Sequence, residues 1–89
     1  MENHENSPAV LLTEDHADFG GMSINYQLLL RNDYGERRFR IRVKNGGELC
    51  EGDMGRELDR ALKDYRKIVT GSVTPCALDD VLSELHYFA

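Results

Sequence analysis

The sequence predicts an α+β fold: an antiparallel sheet of three strands, or four if an N-terminal run joins it, covered on one face by two C-terminal α-helices. Three observations predict it. Two alternating apolar runs flank Asn32-Asp33-Tyr34-Gly35. A strong turn signal, Asn45-Gly46-Gly47, follows the second run. Two stretches with apolar residues three and four apart come last. The polar residues 1–8 read as a disordered tail, and 9–89 as a single domain.

The hairpin over residues 22–44 organises the rest. Ile24, Tyr26, Leu28 and Leu30 alternate along its first strand, and Phe39, Ile41 and Val43 along its second. A four-residue loop, Asn32–Gly35, would set Arg31 opposite Glu36 and pair Leu28 with Phe39, Tyr26 with Ile41 and Ile24 with Val43. A one-residue slip would turn a whole strand over, so burial favours this pairing over a three-residue loop. The opposite face carries Ser23, Asn25, Gln27, Leu29 and Arg31, then Arg38, Arg40, Arg42 and Lys44. That ladder of cations at period two is either a solvated face with arginine stems lying over Leu29, or a surface for an anion, a nucleic acid or an acidic partner.

Upstream, Ala9–Thr13 is a short apolar run that forms an edge strand or packs on the core. Glu14–Gly21 is acidic, ends in two glycines and reads as a loop. After the Asn45-Gly46-Gly47 turn, Glu48–Glu51 reads as a short third strand, and a meander follows because the loop is too short for a parallel crossover.

Asp53 suits the N-cap of a first helix carrying Met54, Leu58, Ala61, Leu62, Tyr65, Ile68 and Val69 on one stripe, with Gly71 stopping it. Asp59–Lys63 and Arg60–Asp64 are spaced to pair along it. Thr74 and Pro75 open a second helix as N-cap and N1, with Leu78, Val81, Leu82, Leu85 and Phe88 inward.

Composition narrows the function classes. The net charge of −5 opposes nonspecific polyanion binding, which only a local patch could reverse. No apolar run reaches the ~18–20 residues of a membrane helix, and the first residues lack a basic signal-peptide region. Two cysteines, Cys50 and Cys76, without a CxxC spacing, suggest a reducing cytoplasm more than a disulfide framework, and a bridge between them stays open. Cys76, at the second position of the second helix, is the better candidate for a reactive thiol, although no histidine is near it in sequence. Glu14-Asp15-His16-Ala17-Asp18 would hold a metal only if further ligands folded onto it, and reads as a surface loop. Phosphate loops, nucleophile elbows and zinc spacings are absent from the sequence, so no catalytic, metal or cofactor residues are assigned.

Tyr34-Gly35 before a strand, and Val73-Thr74-Pro75 with Leu78-Asp79-Asp80-Val81, resemble a family of small uncharacterised proteins from Gram-positive, spore-forming anaerobes. The likeness would span about residues 22–88, except that Glu36 and Arg37 stand where that family favours an apolar residue. It implies no activity and no site residues. A strand reading Arg38-Phe39-Arg40-Ile41-Arg42-Val43-Lys44 before two helices also looks like the ribbon-helix-helix repressors, whose strands pair between two chains and enter the DNA major groove. The reading that follows is a non-enzymatic cytoplasmic domain acting on a protein partner, a second copy of the chain included. The alternative is a nucleic-acid-binding regulator using Arg31, Arg38, Arg40, Arg42 and Lys44.

Overall fold

The computed structural model describes residues 9–33 and 35–87. The expected tail over 1–8, Tyr34 in the hairpin loop and Phe88 lie outside them. Four strands run β1 (Val10–Phe19), β2 (Met22–Asp33), β3 (Glu36–Asn45) and β4 (Glu48–Asp53), forming one antiparallel sheet in the order β1-β2-β3-β4. Helix α1 (Leu58–Thr70), a 3-10 turn (Pro75–Ala77) and helix α2 (Leu78–Glu84) follow. The fold is therefore α+β, with the fourth strand present.

Each strand connection is two residues long. Phe19 pairs with Met22, Asp33 with Glu36 and Asn45 with Glu48. At the first of these, Gly20 and Gly21 both have positive φ, +58° and +79°. That is the requirement of the type I′ turn, whose twist matches that of the strands it joins. Residues 14–19 are consequently strand, not loop. Their alternation sends Asp15 and Ala17 inward, opposite Tyr26 and Ile24. Acidic composition concealed a period-two pattern that the two glycines complete.

The central hairpin also departs from expectation. It closes with Asp33 opposite Glu36, so Tyr26 pairs with Val43, Leu28 with Ile41 and Leu30 with Phe39. The register differs by two residues from the four-residue-loop pairing. A shift of two preserves side-chain parity, so the faces stay as expected while every partner changes. Ile24, Tyr26, Leu28, Ile41 and Val43 are fully buried and Phe39 nearly so. Each such side chain contributes about 1.5–3 kcal/mol of hydrophobic stabilisation.

Both helices cover that inner face. Ala61, Tyr65 and Ile68 of α1 and Leu78 and Leu82 of α2 join the sheet residues in one core, with Met54 and Tyr87. The start of α1 lies later than expected. Glu57 is its N-cap and makes no side-chain capping bond. Asp53 and Met54 instead prolong β4: Met54 N–H donates to Phe39 O at 2.7 Å, and Phe39 N–H to Gly55 O at 2.8 Å. Continuing the β3 ladder gains two backbone bonds that a helix begun at Asp53 would forfeit. Gly71 caps α1 with φ −81°, and Ser72 takes the left-handed conformation at φ +52°. Thr74 and Pro75 open the 3-10 turn that leads straight into α2. The tertiary clamp is Tyr26, whose hydroxyl donates to Val73 O at 2.9 Å.

Candidate functional site

The helices leave the outer sheet face uncovered, and the five cations singled out in the sequence all lie on it. Alternation puts Arg38, Arg40, Arg42 and Lys44 on the outer side of β3, and Arg31 opposite Arg38 on β2. The turn at Gly46-Gly47 then folds β4 back so that Arg42 faces Glu51 and Arg40 faces Asp53. The acids repeat the period of the arginines, so the ladder meets its counter-charges.

The pairing is close. Arg38 donates through Nε and Nη2 to the two carboxylate oxygens of Asp53, both at 2.8 Å. Asp53 also accepts the Gly55 N–H at 3.1 Å. Its pKa lies below the usual carboxylate range, chiefly through the Arg38 hydrogen bonds, which outweigh partial burial. Arg42 donates Nε–H to Glu51 Oε2 at 2.7 Å, and Arg40 Nε stands 3.4 Å from Glu51 Oε1. Burial pushes the Glu51 carboxyl up, but Arg42 and then Arg40 more than reverse this, so its pKa is also lowered.

One row spans the whole sheet. Glu14, Gln27, Arg42 and Glu51 are successive cross-strand partners on β1 to β4. Gln27 donates to Glu14 Oε2 at 3.0 Å and accepts from Arg42 Nη1 at 3.4 Å. Asn25 donates to the same Glu14 oxygen at 3.1 Å. On the same face Leu29 is 5% exposed, with Leu11 of β1 and Arg40 of β3 as its cross-strand partners. The β1 half of this network could not be anticipated while residues 14–19 read as loop. The β4 half was available: a two-residue turn at Gly46-Gly47 alone sets Glu51 against Arg42.

The other candidates disperse. His16 lies on β1, its Nε2 2.7 Å from Ser23 Oγ. Strand alternation splits the acidic cluster, with Glu14 and His16 outward and Asp15 inward under Tyr65. Cys76 is exposed in the 3-10 turn, and its sulfur lies 3.9 Å from both Glu48 carboxylate oxygens, with no imidazole in contact among the described residues. A cleft of about 630 Å³ opens between β4 and α2, lined by Arg38, Arg40, Glu51, Asp53, Asp79 and Tyr87 among others. Its arginines are those already held by Glu51 and Asp53.

The two edges of the sheet differ. β4 offers six residues, three of them acidic, and packs beside the 3-10 turn and α2. β1 has ten residues, and among the described residues nothing pairs with its outer edge. A bulge between Leu11 and Thr13 interrupts its register. Val10, Leu11 and Leu12 are exposed by 55%, 48% and 40%. No family profile, curated protein or solved structure matches the chain.

Proposed function

We propose that the chain is a protein-interaction domain whose docking element is the β1 edge, and that its occupant is a second copy of the chain. The observation that carries this is the run of exposed Val10, Leu11 and Leu12 on an edge strand whose outer ladder is unpaired among the described residues. Folded chains usually blunt such an edge with charge, proline, a bulge or a cover. Here the bulge is flanked by apolar residues, and the acids of β1 begin only at Glu14, beyond the apolar run.

Charge selects both the partner and the register. An antiparallel pair of β1 strands with its two-fold axis beside Leu11 and Leu12 sets Val10 against Thr13 and Leu11 against Leu12 of the other copy. Glu14 then meets Ala9, and Asp15 and Asp18 stay clear of their counterparts. An axis at mid-strand would set acid against acid. The self-complementary surface is the isologous type found in most dimers.

The nucleic-acid reading has less support. The arginines that would carry it are matched by Glu51 and Asp53. β3 has neighbours on both sides, so it has no free edge for a ribbon-helix-helix pairing.

Light scattering after gel filtration is the test. The expected mass is twice 10.1 kDa at high micromolar concentration, falling to one chain for Val10→Lys/Leu12→Lys with the far-ultraviolet circular dichroism retained. A folded wild-type monomer at that concentration, or a dimer indifferent to the double substitution, overturns the proposal.

A further inference from the structure

Both thiols lie on one seam, between β4 and the 3-10 turn that enters α2. Glu48 and Cys50 are two apart on β4 and so share its inner side, opposite Asn45 and Val43. Cys76 and Asp79 are three apart, at the start of the helical segment facing them. The contacts cross the seam in order. Cys76 Sγ is 3.9 Å from both oxygens of Glu48, and Cys50 Sγ is 3.9 Å from Asp79 Oδ1. The four side chains form a quartet with the two sulfurs on one diagonal and the two carboxylates on the other. β4 and the 3-10 turn pack directly against each other, which brings the two cysteine-bearing segments side by side. The Cys50 thiol is pushed up, first by burial and then by Asp79, with a smaller contribution from Cys76 itself.

The geometry points to Cys50 and Cys76 as a reversible dithiol pair that closes an intramolecular disulfide across the β4–α2 seam. The oxidant is a low-molecular-weight disulfide of the glutathione class. Cys76 is exposed and Cys50 half-buried, so Cys76 reacts first. Its thiolate attacks one sulfur of the oxidant, forming a mixed disulfide and releasing one small thiolate, which takes up the proton Cys76 lost. The Cys50 thiolate then attacks the Cys76 sulfur and releases the second small thiol. Two protons and two electrons leave the pair, and one small disulfide becomes two thiols. The bond ties β4 to the entry of α2 and encloses all of α1 in the closed loop, whose shortened unfolded chain favours the folded state. This site is independent of the β1 edge.

The test incubates the full chain with oxidised glutathione near neutral pH, traps remaining thiols with N-ethylmaleimide and weighs the intact protein under non-reducing conditions. The expected product takes up no maleimide, loses the mass of two hydrogen atoms, yields one Cys50–Cys76 linked peptide, and melts at a higher temperature than the reduced chain. Cys50→Ser is expected to stop at a persistent glutathione adduct on Cys76, which shows that the first step is open without the second. Two maleimide adducts, a doubly glutathionylated chain, or linkage only between chains overturns the proposal.

Discussion

The hydroxyl of Tyr65 on α1 lies 2.9 Å from Asp15 Oδ2 on β1 and 3.1 Å from the backbone oxygen of Tyr26 on β2. One buried phenol thus fastens the helix layer to two strands. Its proton is needed in both contacts. Burial, followed by the Asp15 carboxylate, raises its pKa well above the ordinary value of 10. A group bound more tightly to its proton in the folded state contributes stability that is complete below its unfolded pKa and is lost as pH rises beyond it. The same sign holds for Tyr87, whose hydroxyl donates to the buried Asp64 at 2.6 Å and whose pKa is raised by burial first and then by Asp64. Stability is therefore expected to fall above about pH 10. Tyr65→Phe is expected to cost about 1–3 kcal/mol at neutral pH and to flatten that alkaline limb, read by urea midpoints at neutral pH and above pH 10.

At the acid end the sign reverses. Asp53 and Glu51 have folded pKa values below their ordinary 3.8 and 4.5. Their stabilisation is present above those ordinary values and is lost as pH falls through the lower folded ones. Asp53→Asn is expected to cost about 1 kcal/mol at pH 7, because solvent screens the partly exposed Arg38. The same substitution should make the acid limb shallower below about pH 4, measured by thermal unfolding across pH.

Gly52 lies on the inner side of β4 opposite Ile41 and is buried. A β carbon there would overlap Leu82 Cδ1 of α2. Leu82 belongs to the core cluster, so the β carbon fits only if its side chain leaves the packed position it holds there. Gly52→Ala is expected to destabilise by about 1–3 kcal/mol although alanine is the easier residue for backbone entropy. Combined with Leu82→Ala, the two costs should sum to clearly less than their separate values, since the second substitution removes the obstacle. Denaturant midpoints of the two singles and the double decide it.

The central hairpin shows where reading from sequence succeeds and stops. The segregation of Ile24, Tyr26, Leu28, Phe39, Ile41 and Val43 from the arginines was legible because parity survives any even change of register. The register itself was not, because pairings two residues apart bury the same set of hairpin side chains. Only the length of the loop separates them, and Gly35, at φ +80°, suits either loop. Asp53 was legible as a cap and serves as a strand end, since an aspartate before an apolar stripe carries the same local signal whether Arg38 or a helix N-terminus claims it. Residues 14–19 were lost to composition. The hidden partner of Asp15 is Tyr65, and a contact across fifty positions has no local signature.

The charge balance of the outer face can be tested by removing one side of it. Glu51 and Asp53 hold Arg38, Arg40 and Arg42, and the whole chain carries −5. The wild type is therefore expected to pass a heparin column at low salt. In Glu51→Gln/Asp53→Asn two acids are neutralised without loss of volume; Arg40 and Arg42 lose Glu51, and Arg38 loses Asp53 and keeps only Glu36 at 3.5 Å. The double variant is expected to be retained on heparin at about 50 mM salt and released well below 0.5 M, because a patch of about three cations has a shallow salt slope. Circular dichroism at the same temperature checks that the sheet persists. Retention of the wild type would show that the acids do not balance the ladder, and would return the arginine face to the nucleic-acid reading. A folded double variant that still flows through would show that the arginine stems lie too flat on Leu29 for the guanidiniums to reach a polyanion.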